Sequence, residues 1–170
     1  TTVRLVTLAE KMVVEETKRS YMYLNLYGYQ VDGLYINRVL PETLDNPYFD
    51  QWRKLQRHYI AELEAVFAYL PMTKIDWYET DICGQEAIER LSRDAFSADG
   101  LFDIQETIDH ERYERVEDGY LLTLFLPIVE KGELELYLAD LDLIIRISNF
   151  KRSIPLPNAL RGLTVASAKL

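Results

Sequence analysis

The sequence predicts an α/β region followed by an all-β sandwich. Over roughly the first 96 residues, short apolar β-rich runs alternate with segments of helical periodicity. From residue 97 onward only short β-rich segments remain, separated by turn signals such as EDG, EKG and SNF. Alternating strands and helices with short connections predict right-handed crossovers and a parallel sheet. The closely spaced strands predict an antiparallel sandwich, so we expect the domain boundary between Ser97 and Gly100.

The first elements are a short strand at residues 3–6 and a long helix. Thr7 and Glu10 have the T-x-x-E spacing of a capping box, in which the hydroxyl accepts from an early helix N–H and the carboxylate reaches back to the cap N–H. We therefore expect a helix over residues 8–27, ended by Gly28. Its expected packed positions are Leu8, Met12, Val13, Leu24 and Tyr27.

The run VDGLYINRVLP predicts a buried strand over residues 31–36 that delivers Asn37 to its carboxyl end. Ligands of open α/β sheets bind beyond the carboxyl ends of the strands. A carboxamide placed there suits the edge of a base, which presents a donor beside an acceptor. Asn37 is equally able to cap a turn through its side chain, a common role for Asn at strand ends.

A helix over residues 48–67, a strand over 70–75 and a helix over 85–96 complete the α/β region. The aromatic and leucine positions of the first of these helices predict either a packed stripe or an exposed docking face. They are Phe49, Trp52, Leu55, Tyr59, Leu63 and Phe67. The strands expected in the sandwich are residues 103–108, 113–116, 120–126, 134–138, 141–147 and 150–156.

The composition excludes several classes of partner. A formal charge of −9 argues against nucleic acid or an anionic membrane surface, because both require a basic footprint. The single cysteine, Cys83, excludes an intramolecular disulfide and any multi-cysteine metal site. No run approaches the roughly 18 apolar residues of a transmembrane helix. We expect a cytosolic protein that is not integral to a membrane.

Three motifs carry a family resemblance. They are E-K-M with E-T-x-R at residues 10–19, L-Y-G-Y-x-V-D at residues 26–32, and N-R-V-L-P at residues 37–41. With them the first region resembles the C-terminal half of the P-loop domain of anion-transporting, arsenical-pump-type ATPases, a family that includes the targeting ATPases for tail-anchored membrane proteins. The second region, from LFLPIVEKGELELYL onward, resembles the α-crystallin-type (small heat-shock) sandwich that some members carry.

The resemblance implies two domains and an adenine contact. Residues 1–98 would be the C-terminal portion of the nucleotide-binding domain, without the P-loop, and residues 99–170 the α-crystallin-like sandwich, ending before its last strand. Asn37 would pair with the adenine edge, with Arg38 beside it, and the loop of Asp76, Trp77 and Tyr78 would flank the ring. Asp76 stands where the family usually has Pro, and its carboxylate could accept from the adenine amino group.

The chain has no G-x-x-x-x-G-K-[ST] motif, and no Gly precedes a Lys. Phosphoryl transfer needs that backbone cradle, its Lys and a Mg²⁺ ligand, so we expect no catalytic residue here and no ATP hydrolysis by this chain alone. The resemblance implies that the residues that bind the phosphates of ATP and Mg²⁺ precede this chain in the sequence of the complete protein. It implies that the complete protein is a homodimeric ATPase whose client is an anion or a hydrophobic protein segment.

The rival hypothesis is a non-catalytic interaction or chaperone-like module with no nucleotide binding, in which a sandwich edge pairs with partner strands.

Four single residues have expected environments that the structure can test. Trp77 is either a platform for a base or a core aromatic, and Arg38 is expected to form a surface ion pair rather than to bind phosphate. His110 is expected on the surface, and Cys83 packed beneath its loop. No metal site is expected.

Overall fold

A computed structural model describes residues 2–96, 108–129 and 132–170. Its internal contacts divide the chain into two units. The first comprises Thr1–Tyr21 with Gln30–Thr107, and the second comprises Met22–Tyr29 with Ile108–Leu170. The last residues of the first helix are thus grouped with the C-terminal unit.

The first unit is built on a parallel sheet of three strands that pair in chain order. The alternation of strands and helices predicted from the sequence is confirmed, with bounds that shift by at most three residues. The elements are β1 (Thr2–Leu8), α1 (Lys11–Leu26), β2 (Gln30–Val39), a 3₁₀ turn (Pro47–Phe49), α2 (Asp50–Val66), β3 (Met72–Asp76) and α3 (Gln85–Ala95).

The predicted capping box is wrong, because Thr7 belongs to β1 and not to the start of α1. Its side chain is buried, and its hydroxyl oxygen lies 2.7 Å from the hydroxyl oxygen of Thr17. The Thr17 hydroxyl also lies 2.7 Å from the carbonyl of Val13, to which it donates. Thr7 therefore joins strand to helix through a buried hydroxyl pair, and the helix begins at Lys11.

The later start of α1 also changes its buried face. Met12 is 80% exposed and Tyr27 is exposed, so two of the expected packed positions are wrong. Val14, Thr17 and Tyr21 form the buried stripe instead, at the spacing of one helical face. The expected packed positions assumed that the helix begins at Leu8, but Leu8 belongs to β1.

Helix α2 is divided along its length between core and surface. Its C-terminal end is buried at Leu63 and, just past the helix, at Phe67, whose ring meets that of Tyr21 edge-on at 5.2 Å. Lys18 forms an ion pair with Glu62 beside this contact. Trp52, in the first turn of α2, is 52% exposed. The side chains of the predicted stripe therefore pack into the core only in the second half of the helix.

The second unit contains a two-stranded hairpin, β4–β5, and a three-stranded antiparallel sheet, β6–β7–β8. Five of the six predicted strands are found; of the sixth, only Ile108 lies within the described residues, and it is not in a strand. The core combines β7 and β8 with Met22 and Leu26 of α1. The strands are β4 (Glu111–Val116), β5 (Gly119–Leu124), β6 (Leu134–Ala139), β7 (Asp142–Ile147) and β8 (Phe150–Pro155).

Arg152 of β8 caps the end of α1 within this unit. Its guanidinium donates to the carbonyl of Leu26 at 2.7 Å and to the carboxylate of Glu111 at 2.9 Å. The Tyr27 hydroxyl donates to the carbonyl of Lys151 at 2.7 Å. A cation at a helix C-terminus satisfies a carbonyl that has no helical partner and complements the helix dipole. Strand β8 thereby holds the helix end through side chain and backbone.

His110 is not the surface residue that the sequence suggested. Both ring nitrogens are buried without a hydrogen-bond partner among the residues described, and the ring lies 6.2 Å from that of Phe125. Burial lowers the pKa of His110, and the positive charge of Arg152 acts in the same direction, whereas Asp109 opposes them. The folded second unit therefore favours the neutral imidazole.

We predict that acid destabilises the second unit through His110. Below the ordinary histidine pKa of about 6.5 the unfolded chain binds a proton that the folded chain resists, so the free energy of unfolding falls as the pH is lowered toward the depressed pKa. Urea unfolding followed through the methyl NMR signals of Ile145, at about pH 7.5 and about pH 5.5, measures this loss.

The variant His110→Phe should remove much of the difference between the two pH values, because it keeps a ring in the site and has no proton to gain. His58→Phe is the matched control, since His58 is exposed and lies in the first unit. An unchanged pH dependence in His110→Phe would contradict this account of the second unit.

Candidate functional site

The carboxyl ends of the three parallel strands meet along one edge of the sheet. The β1–β2 pairing ends with Leu8 opposite Asn37, and the β2–β3 pairing ends with Val39 opposite Asp76. The N–H of Trp77 donates to the carbonyl of Val39 at 2.8 Å. Asn37, Arg38, Asp76 and Trp77, the residues singled out from the sequence, therefore lie along this edge, which we call the carboxyl edge.

Strand β2 carries one extra residue at the carboxyl edge. Ile36 pairs with Lys74 and Val39 with Asp76, so Asn37 and Arg38 together stand opposite a single residue of β3. Such a β-bulge redirects side chains and interrupts the regular pairing. Arg38 has a left-handed backbone with φ of 56°, a conformation that costs a non-glycine residue about 1–3 kcal/mol.

The side chain of Asn37 is fixed by its own neighbour. Its Oδ1 accepts from the N–H of Arg38, the next residue, at 2.9 Å. An amide oxygen has two lone pairs, and one of them remains. The Nδ2 group donates to no residue in the described part of the chain. Asn37 thus keeps a donor beside an acceptor, the pair that an adenine edge requires.

Gln56 of α2 holds the bulge, a role that sequence reasoning missed. Its Nε2 donates to the carbonyl of Arg38 and its Oε1 accepts from the N–H of Leu40, both at 2.9 Å. Arg53, one helical turn earlier, donates to the carbonyl of Leu44 at 2.7 Å. No local pattern marks a glutamine in a helix as the partner of a strand end, so the sequence gives no signal for this contact.

The other three predicted site residues are open to solvent. Trp77 is 51% exposed, so it is not a core aromatic, and its indole ring is accessible to a ligand. Asp76, the last residue of β3, is exposed. Arg38 is exposed, and its guanidinium makes no ion pair with any residue that the structure describes, so the expected surface ion pair is not found.

The loop after β3 packs on α3. The Tyr78 hydroxyl donates to Asp94 at 2.8 Å, and the guanidinium of Arg90 lies 5.0 Å from the centre of the Tyr78 ring. Burial raises the pKa of Tyr78, and the hydrogen bond to Asp94 adds to that rise. Cys83 is exposed, so the prediction that it packs beneath the loop is wrong. It lines, with Tyr78 and Arg90, an open cavity of about 290 Å³.

Two further searches of the described residues bear on cofactors and membranes. In residues 2–96, 108–129 and 132–170, no three His, Cys, Asp or Glu side chains are grouped so that they could hold a metal ion. Within the same ranges, no helix has both the length and the apolar character required to cross a bilayer.

The architecture defines an α/β protein that carries an appended antiparallel β unit, a class in which ligands bind at the carboxyl edge of the parallel sheet. The family model described as anion-transporting ATPase matches residues 1–96, and the model described as an HSP20-like domain found in ArsA matches residues 117–170. The chain belongs to the anion-transporting (ArsA-type) ATPase family, as the sequence motifs predicted. This family implies the use of a nucleotide.

Two curated relatives align with nearly the whole of this chain. The chain is 28% identical over 174 residues to a protein of Aquifex aeolicus named "Putative arsenical pump-driving ATPase 1", with 100% of this chain and 44% of the relative covered. It is 32% identical over 167 residues to "Putative arsenical pump-driving ATPase" of Prosthecochloris vibrioformis, covering 98% of this chain and 41% of the relative. The chain thus spans less than half the length of these relatives.

Another relative matches a shorter part of the chain. The protein named "ATPase get3" of Pyrenophora tritici-repentis is 27% identical over 94 residues, which cover 54% of this chain and 28% of that protein.

The left-handed backbone of Arg38 leads to a stability prediction. Arg38→Val should lower the free energy of unfolding of the first unit by about 1–3 kcal/mol, because a β-branched residue is strained at positive φ. Arg38→Asn should change it by less than about 0.5 kcal/mol, since Asn tolerates this conformation and the replaced side chain is exposed. Urea unfolding followed by tryptophan fluorescence reports on this unit, where Trp52 and Trp77 lie. Equal stabilities of the two variants would contradict the strained bulge.

Proposed function

We propose that the carboxyl edge supplies the adenine side of an ATP site in an arsenical-pump-type ATPase. The observation that carries the proposal is the side chain of Asn37 near the end of a parallel strand, whose Nδ2 has no acceptor among the described residues and whose Oδ1 retains one lone pair beside its bond from Arg38. A carboxamide in this state can form the paired hydrogen bonds that distinguish adenine from guanine. Membership of the ATPase family supports a nucleotide as the ligand.

Trp77 and Asp76 complete the adenine side in this proposal. An exposed indole offers a face on which a purine can stack, a contact worth about 1–3 kcal/mol per base. The exposed carboxylate of Asp76 can accept from the exocyclic amino group of adenine and would disfavour the carbonyl oxygen that guanine presents at the same position. Arg38, also exposed, contributes positive charge beside an anionic ligand.

In the whole protein, bound ATP with Mg²⁺ supplies the phosphoryl group whose transfer to water drives the cycle. The residues described here bind and orient the base, and the phosphate and metal ligands belong to other parts of the protein. We propose that the whole protein is a cytoplasmic homodimer that couples hydrolysis to the handling of an anion or of a hydrophobic client segment. The description of the family as anion-transporting ATPase favours the anion.

The prediction for Asn37 is a loss of base selectivity. In the natural protein, Asn37→Ala should reduce the preference for ATP over GTP by about tenfold to a hundredfold, as expected for one bidentate base contact of about 1–3 kcal/mol. Competition between ATP and GTP for a fluorescent ATP analogue measures the preference. Asn46→Ala is the control, because it removes an exposed carboxamide that caps the 3₁₀ turn after β2.

Two results would count against the proposal. If Asn37→Ala keeps the full preference for ATP, the base is read elsewhere. If the natural protein binds no nucleotide at all, the non-catalytic interaction module becomes the better account of this chain.

A further inference from the structure

We infer that Gln56 is a positioning residue that presets Asn37 for the base, an inference that rests on the proposed adenine contact. Gln56 lies on α2, 19 positions beyond Asn37, and the hydrogen bonds of its side chain within the described residues go to the backbone and not to Asn37. It acts through the backbone of Arg38 and Leu40. Two features of the bulge and the contacts of α2 support this role.

The Gln56 carboxamide takes the place of a neighbouring strand. The β1–β2 pairing ends with Leu8 opposite Asn37, so β1 offers no partner to the carbonyl of Arg38 or to the N–H of Leu40. In a parallel sheet, a residue on the adjacent strand would bond the carbonyl and the N–H on either side of Val39. Gln56 makes this same pair of hydrogen bonds, both at 2.9 Å, with the two ends of one side-chain amide.

The peptide units around Arg38 link Gln56 to Asn37. The N–H of Arg38 holds Oδ1 of Asn37, and the carbonyl of the same residue receives the hydrogen bond from Gln56. Releasing that carbonyl allows Arg38 to relax from φ of 56° toward the commoner negative values. Such a rotation would turn its N–H away from Asn37 and release the carboxamide from its single orientation.

Helix α2 also contacts the loop that follows β2 through Arg53, at residues other than those of the bulge. Arg53 reaches the carbonyl of Leu44 at 2.7 Å and the carboxylate of Asp50 at 2.6 Å. Arg53 and Gln56 are three residues apart and therefore share a face of the helix. Leu40, whose N–H Gln56 holds, is buried. Loss of the Gln56 amide therefore affects the bulge, while Arg53 and Leu40 keep the rest of the segment in place.

The first test measures the backbone directly and does not depend on nucleotide. Gln56→Met keeps the length of the side chain and removes both hydrogen bonds, so the amide of Leu40 should exchange with deuterium at least about tenfold faster. Gln56→Glu retains an acceptor for Leu40 and should protect that amide better than Gln56→Met. Arg53→Met is the matched control, because it releases Leu44 without touching Arg38 or Leu40. Unchanged exchange at Leu40 in Gln56→Met would overturn the inference.

The second test measures base selectivity in the natural protein. Gln56→Met and Gln56→Glu should each lower the preference for ATP over GTP by about tenfold, since both lose the bond to Arg38, while Arg53→Met should not. The double variant with Asn37→Ala should be no less selective than Asn37→Ala alone, because both changes act on one contact. A thermal melt of each variant shows that the fold is retained.

The outcomes separate the two proposals. Selectivity lost in Asn37→Ala but kept in both Gln56 variants would overturn the positioning role and leave the adenine contact standing. Selectivity kept in Asn37→Ala would overturn both. Faster exchange at Leu40 together with lost selectivity in the Gln56 variants, non-additive with Asn37→Ala, is the result that the structure leads us to expect.

Discussion

Parallel pairing of three consecutive strands is the constraint on which the first unit depends. Because β1, β2 and β3 run in the same direction, their carboxyl ends lie at one edge, and residues far apart in sequence meet there. Asn37 and Asp76 are 39 positions apart, yet their strands end side by side. An antiparallel arrangement would have placed them at opposite edges.

The bulge in β2 shows how this edge departs from regular structure. A regular strand would satisfy its backbone through its neighbours and would alternate its side chains between the two faces of the sheet. The extra residue at Asn37 and Arg38 breaks the alternation and places Arg38 in a strained conformation, which the two hydrogen bonds from Gln56 offset. Strain of this kind persists only where surrounding contacts maintain it, and such strain is frequent at binding sites.

Much of the fold could be predicted from sequence, since strand and helix periods are local signals. The run around Leu34 and Ile36 identified a buried strand, and its polar end identified Asn37. The Thr7 prediction failed because a buried hydroxyl pair with Thr17 is a tertiary contact that resembles a capping signal in sequence. The assignment of Met22–Tyr29 to the second unit has no local signature, because Leu26 packs with residues such as Ile145 more than a hundred positions away. Gln56 was missed for the same reason. The strand-end position of Asn37 indicated a base as its ligand, and the family resemblance specified adenine.

The central claim is that the base of a nucleotide lies at the carboxyl edge of this sheet. Photolabelling of the natural protein with 8-azido-ATP, followed by peptide mapping, tests it most directly. The account predicts that ATP-protected label falls on peptides containing residues 37–40 or 76–78. Label confined to the second unit, or absent from both of these segments in a protein that binds ATP, would contradict it.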